Sequence, residues 1–242
     1  MFAGVLIGTT ASCAGSAPAW DYQGASGPAA WATLDPAYAT CSSGRSQSPI
    51  DVVEALPRDL PNLDFRYLNT PLKLRNTGRA IEHDVAPGSL LRVGQLSFML
   101  SSIKFHAPSE HRAAGHSFAM ELQWLHRSPQ GHFAVVSVMV KPGQANAALA
   151  MLIERLPMAA GETSESAAAL PLAQLLPRQR TYMRYTGSLT EPPCWENVVW
   201  MILSEPIEAS PAQIAAFTRV YRDNVRPVQP AGRRAVFFDA TP

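Results

Sequence analysis

Four polar side chains have the spacing of a site. Lys104 and His106 lie in the alternating run 101–106, and Glu121 and Gln123 lie in the alternating run 118–125. In a strand, side chains two apart share a face. Lys104 and His106 therefore point one way with Phe105 opposite. Glu121 and Gln123 form a second same-face pair on what should be the neighbouring antiparallel strand. An ammonium, an imidazole, a carboxylate and an amide facing one another on central strands cost stability unless they pair or line a site. Ion pairing, proton transfer and metal ligation are the chemistries open to such a set.

The rest of the chain must supply the sheet that holds these residues. At 242 residues, 47% hydrophobic and 16% charged, it has apolar material for one domain with a sizeable core and is no disordered chain. A net charge of +1 gives no global field for nucleic acid. Twenty-one prolines and fifteen glycines suit the turns and edges of a strand-rich domain better than a helical bundle. Residues 62–67 and 72–76 alternate like strands, and 89–98 reads as another strand interrupted by a turn at Gly94-Gln95. Residues 133–140 form an apolar β-branched run expected in a buried central strand. Residues 144–156 have apolar positions at helical spacing and end at Pro157, which predicts one peripheral helix. Residues 157–177, rich in Ala, Ser, Glu and Pro, predict a surface loop with a short helical turn, and His83 reads as a surface histidine.

Five motifs in order carry a family resemblance across residues 20–236. They are Trp20-Asp21-Tyr22 with Gly27-Pro28 and Trp31, Gln47-Ser48-Pro49-Ile50-Asp51, Phe105-His106 through Ser109-Glu110-His111 to Met120-Glu121-Leu122, Ser188-Leu189-Thr190-Glu191-Pro192-Pro193-Cys194, and Asn224-Val225-Arg226-Pro227 with Gln229 and Arg233. Together they resemble the alpha-type carbonic anhydrases. The resemblance implies an α+β, mainly β fold: a large, twisted, mostly antiparallel central sheet with short peripheral helices, occupying residues 20–242. It also implies a three-histidine zinc site at positions 104, 106 and 123, where only His106 is retained and Lys104 and Gln123 stand in for the others. By the same resemblance Thr190 would orient a zinc-bound hydroxide, Glu110 would accept the proton of its hydroxyl, and Glu121 would hold the third ligand from behind. Leu125, Val135, Leu189 and Trp200 would wall the pocket. Arg79 occupies the proton-shuttle position, where an always-charged guanidinium cannot cycle a proton.

Replacing two of three imidazoles has a large cost for zinc. An ammonium about 4 Å from a divalent ion repels it by roughly 8 kcal/mol at an effective dielectric near 20. Neutralising a lysine at neutral pH instead costs about 5 kcal/mol. Either is a large share of the ~10–16 kcal/mol apparent affinity of structural zinc peptides, and a glutamine oxygen is a weak zinc ligand. The expectation is therefore no tightly held zinc and no cofactor. The Lys104 ammonium would take part of the metal's place and pair with a nearby carboxylate, and Gln123 would donate to Glu121. The functional expectation is a carbonic-anhydrase-related protein that does not hydrate carbon dioxide and acts by binding an unidentified protein or carbohydrate. Two alternatives stand beside it: a residual zinc-dependent carbonate dehydratase or esterase, and a storage protein on the same fold. Arg219, Arg222, Arg226, Arg233 and Arg234 are a candidate basic patch, set against ordinary solvated arginines.

Residues 1–19 are small and apolar, with Ala17-Pro18-Ala19 as an A-x-A cleavage site, and read as a signal peptide lacking its basic start. A disordered tail and a lipid-modified Cys13 are the other readings, and no transmembrane segment is expected. The family resemblance pairs Cys41 with Cys194. Signal and disulfide together point to a secreted or periplasmic protein.

Overall fold

A computed structural model of the protein describes residues 19–239. The reading of residues 1–19 as a signal peptide, and Cys13 with it, falls on the undescribed segment apart from Ala19.

The architecture is one large mixed sheet with helices short and peripheral. Its central strands are β1 (Thr70–Asn76), β2 (Ile81–Asp84), β3 (Leu96–His106), β4 (Met120–Arg127), β5 (Phe133–Pro142), β6 (Thr163–Leu170), β7 (Tyr182–Ser188) and β8 (Glu196–Leu203). They lie in the order β6-β1-β2-β3-β4-β5-β8-β7, after which Phe237–Asp239 and Leu56–Pro57 complete the row. All neighbours in the run β6 to β5 pair antiparallel, while β5 and β8 run parallel.

Alternation explains which side of the sheet does what. Ile103 and Phe105 on β3, Leu122 and Trp124 on β4, and Val136 and Val138 on β5 point into the main core. Their sequence neighbours point to the other face: Lys104 and His106, Glu121 and Gln123, Val135 and Ser137. There a second, smaller core gathers Ile50, Val135, Met139, Tyr185, Val198 and Trp200. The β5 run is buried on both faces, as a central strand should be.

Two helices, α1 (Ala147–Ile153) and α2 (Pro211–Val220), cover the main core. Asn146 caps α1 by accepting from the amides of Ala148 and Leu149. Ser210 and Gln213 form a reciprocal capping box on α2, with Pro211 in the first turn. Phe217 of α2 stacks on Phe105 with ring centroids 5.0 Å apart, which braces β3 from the side opposite the site.

Three expectations need correction. Residues 157–177 are not all loop, because β6 pairs with β1 at the sheet edge, Thr163 opposite Arg75 and Ser164 opposite Leu74. Its mostly exposed Ser, Glu and Ala side chains give no apolar alternation, and backbone pairing alone makes it a strand. The short helical turn follows at Leu172–Leu175. α2 is a peripheral helix that the reading of residue spacing did not locate, although the family resemblance implied short peripheral helices. His83 is fully buried. It pairs opposite Ile103 and so points to the core face, where its Nδ1 lies 3.2 Å from the Lys73 carbonyl and burial lowers its pKa.

The N-terminal aromatic wrap packs Trp20, Tyr22, Trp31 and Tyr38 around Cys41 and Cys194. These cysteines are joined in a disulfide that closes a sequence separation of 153 residues.

Candidate functional site

The register of β3 against β4 sets Lys104 opposite Gln123 and His106 opposite Glu121. Four polar side chains on adjacent strands therefore meet on one face. β2 brings a fifth, because Glu82 is the cross-strand partner of Lys104 on its other side. The loop after β7 brings a sixth, Glu191.

Lys104 is the hub of an ion cluster. Its ammonium lies 3.0 Å from Glu82 Oε1 and hydrogen-bonds Glu191 Oε1. Arg75 Nη2 donates to Glu82 Oε2 at 2.7 Å and to Asp84 at 3.2 Å, so the cluster runs on toward the sheet edge. Burial by itself would lower the lysine pKa, but Glu191 and Glu82 outweigh it and raise the pKa. Burial likewise works against ionised Glu82, and Lys104 reverses the outcome and holds that carboxyl below its usual range. Lys104 is accordingly held in its charged form by its two carboxylate partners.

Gln123 Nε2 donates to Glu110 Oε2 at 2.7 Å and to Glu121 Oε1 at 3.2 Å. The bond to Glu121 was expected and the one to Glu110 was not. Glu110 Oε1 accepts the backbone N–H of Arg226 at 2.8 Å, so both of its oxygens are engaged. Among the described residues no hydrogen bond joins Thr190 to Glu110, the pair that the family resemblance couples.

His106 keeps a ligand-like posture. Its Nδ1 donates to the Asn224 carbonyl at 2.7 Å. Its buried Nε2 has no hydrogen-bond partner and lies 3.7 Å from Glu110 Oε2.

Beneath these residues lies a fully buried polar network. Glu121 accepts from the backbone N–H and the Nδ1 of His111, both at 2.9 Å, and from Ser137 Oγ at 2.8 Å. His111 Nε2 is 2.6 Å from the Tyr185 hydroxyl, which is 2.8 Å from Ser48 Oγ. Burial opposes the Glu121 charge, but the contacts with His111 prevail and hold its pKa at about 2.

Arg226 belongs to this framework. It donates to Gln47 Oε1, the Ser48 carbonyl and the Cys41 carbonyl, and burial lowers its pKa to about 10. Arg234 donates to the carbonyls of Ala231 and Pro230. The five C-terminal arginines thus do not form one patch: two are built into the fold, while Arg219, Arg222 and Arg233 are exposed.

Above the network is a cavity of about 170 Å³ walled by Leu125, Val135, Leu189 and Trp200, with Lys104, Gln123, Thr190 and Glu191 on its polar side. The Arg79 guanidinium lies 4.2 Å over the Trp20 ring, and its Nη1 donates to the Trp20 carbonyl at 3.3 Å. A larger apolar groove of about 510 Å³ between Val85, Met99 and Pro129 lies away from all of these groups.

The donor set does not fit zinc. One imidazole nitrogen, His106 Nε2, is suited to it. The second position holds a cation committed to two carboxylates, and the third holds an amide whose nitrogen is committed to two more. Among the described residues there is no group of three or more His, Cys, Asp or Glu arranged to hold a metal ion.

Glu82 and Glu191 were missed as site residues. Glu191 stood within a quoted motif, and Glu82 shares a strand face with Asp84. The usable signal was that a buried lysine requires carboxylate partners.

Comparison with known proteins places the chain. Residues 26–240 match the sequence profile of the eukaryotic-type carbonic anhydrases. A carbonic anhydrase of Nostoc sp. is 38% identical, with 96% of this chain and 92% of that protein aligned. One from Klebsiella pneumoniae is 37% identical over 90% of this chain and 89% of the relative. Among solved structures, the alpha-carbonic anhydrase of Thermovibrio ammonificans in complex with sulfanilamide superposes with a TM-score of 0.89 at 35% identity, covering 92% of this chain and 100% of that one. Dioscorin complexed with ascorbate superposes with a TM-score of 0.84 at 30% identity, covering 91% and 97%. The sheet order, the buried His111–Glu121 network and these matches lead to one conclusion: the chain belongs to the alpha-class carbonic anhydrase family.

Proposed function

We propose that this protein is a zinc-free member of its family that does not hydrate carbon dioxide and acts by binding, in a secreted or periplasmic setting. The observation that carries the reading is the Lys104 ammonium held between Glu82 and Glu191 at a position where the family resemblance requires a metal ligand. A charge-neutralising ion pair replaces the metal's interaction with its surroundings, and the sheet keeps its buried polar network without an ion. The Cys41–Cys194 disulfide supports an oxidising compartment. Among the described residues no helix is long and apolar enough to cross a membrane. Dioscorin, solved in complex with ascorbate, is a protein of this shape that holds a small molecule.

The competing reading, a weak carbonate dehydratase or esterase, has two observations in its favour: the unpartnered Nε2 of His106 and the likeness to proteins named carbonic anhydrases. The double substitution Lys104→His and Gln123→His separates the two. On the binding reading, the parent hydrates no carbon dioxide above background, while the double variant gains zinc and measurable hydration. Arg79 would limit proton release in the variant. Hydration by the parent, sensitive to a chelator, would refute the binding reading.

A further inference from the structure

We propose that the apolar groove at the Leu96 end of β3 binds a small amphipathic anion, a carboxylate on an alkyl chain or a single ring, with its head on Arg127. This is a second place on the sheet, and the inference stands whether or not the cavity beside Lys104 holds zinc.

Register builds the groove. Arg66, Leu90, Met99, Arg127 and Phe133 stand opposite one another in one row, across the strands Leu63–Arg66, Leu90–Val93, β3, β4 and β5. Asp64, Arg92 and Ser97 form the next row on the same face. The alternate residues Leu91, Val93, Phe98 and Leu100 point into the main core, so these rows face outward. A bulge shifts the β3–β4 register between Leu125 and His126, just before Arg127, and such irregularities re-aim side chains. Met99 is 46% exposed at the floor, and Val85, Pro87, Leu90 and Pro129 wall a groove of about 510 Å³.

The charges on this face select the head group. The two rows carry three arginines, Arg66, Arg92 and Arg127, and one aspartate, Asp64. Asp64 accepts from Arg66 Nε at 2.8 Å. The next acid, Asp84, precedes Val85 and accepts from Arg75 at 3.2 Å, while Arg75 also holds Glu82. Arg92 and Arg127 form no ion pair among the described residues. Arg127 is the one charged residue on the groove wall, and its guanidinium lies 5.6 Å over the Phe133 ring.

The walls select the body. The groove falls within the ~300–1,000 Å³ of sites for small organic ligands, and its aliphatic side chains offer contact to a chain or ring. A carboxylate can take two parallel N–H bonds from one guanidinium. An ammonium would meet a cation and no acid, and a neutral amphiphile would gain the apolar contact alone. A second copy of this chain is a poorer match. A two-fold interface sets the same patch on both partners, which brings Arg92 and Arg127 together with their own copies while Asp64 is already engaged.

The probes are octanoate, octylamine and 1-octanol, which share a chain and differ in charge. Each is titrated at neutral pH into the folded protein by calorimetry, below its micelle concentration, with the Met99 methyl group followed by NMR. Octanoate should bind roughly tenfold or more tighter than octylamine and shift the Met99 signal. Arg127→Gln should remove that preference while leaving 1-octanol binding within about twofold. Met99→Asp, at a half-exposed position that the fold tolerates, should weaken octanoate roughly tenfold or more. Sedimentation of the same sample reports its oligomeric state.

Octylamine binding as tightly as octanoate would overturn the proposal. So would a lead for octanoate that survives Arg127→Gln, or no Met99 shift in the parent. A dimer that excludes octanoate and comes apart on Met99→Asp would also overturn it, because a second copy would then be the occupant of the groove. Zinc content, measured alongside, bears on the cavity beside Lys104 and leaves this inference untouched.

Discussion

The polar floor of the site and the triangle above it behave differently. In the floor, Ser48, Tyr185, His111, Glu121 and Ser137 form a closed hydrogen-bonded chain, and every family motif that feeds it is intact. In the triangle of residues 104, 106 and 123, only His106 is the histidine that the family resemblance expects, and Lys104 draws its partners from elsewhere, Glu82 from β2 and Glu191 from the loop after β7. The floor holds strands together, since Glu121 bonds to residues on β5 and on the segment between β3 and β4. The triangle also ties β3 to β2 and to the loop after β7, but through ion pairs that are partly exposed. On the zinc-free reading proposed above, the network behind the site would persist without a metal because the charge at position 104 finds carboxylate partners.

The largest expected effect lies in the floor. Glu121→Ala leaves the N–H and Nδ1–H of His111, the Ser137 hydroxyl and the Gln123 amide short of an acceptor. A loss of about 3–5 kcal/mol is expected in denaturant unfolding. A loss under about 1 kcal/mol would mean that the floor contributes little.

Next is the triangle. Lys104→Met removes the charge between Glu82 and Glu191, both partly solvated, and should cost about 2–3 kcal/mol with the fold retained. A Lys104→Met variant as stable as the parent would break the distinction, because the lysine would then be no substitute for anything.

The smallest effect is in the pH dependence, and it sharpens the comparison by separating the floor from the core. His126 on the core face has its pKa lowered to about 4 by burial. The unfolded chain therefore takes up that proton first as pH falls, so stability present above about 6.5 declines between there and about 4. Lowering the pH from about 7.5 to about 5.5 should cost about 1 kcal/mol, and His126→Gln should flatten that limb of the melting-temperature profile. Glu121 acts in a lower window. Its folded pKa of about 2 lies below its ordinary value of 4.5, so its contribution is complete above that value and disappears as pH falls toward 2. Burial lowers the His83 pKa as well, so the limb between about 6.5 and about 4 should shrink but not vanish, and a limb left unchanged by His126→Gln would contradict the assignment.

Much of this was legible in the sequence because period-two alternation is a strong signal. Lys104, His106, Glu121 and Gln123 were placed on one face by spacing alone, and the apolar run of β5 announced a central strand. β6 was not legible, because an exposed edge strand of Ser, Glu and Ala is defined by its neighbour's backbone. Ser210, Pro211 and Gln213 do mark the start of α2, and that capping signal was overlooked. Glu82 was invisible as a partner of Lys104 for a different reason. Its role depends on the register of β2 against β3, which no local pattern encodes. The same missing register made His83 look like a surface residue.

The most direct test of the account is the zinc stoichiometry of the protein after exposure to zinc and desalting, read by elemental analysis. The account predicts a value near zero per chain, with Lys104 and Gln123 closing the site. A value near one zinc per chain would contradict it.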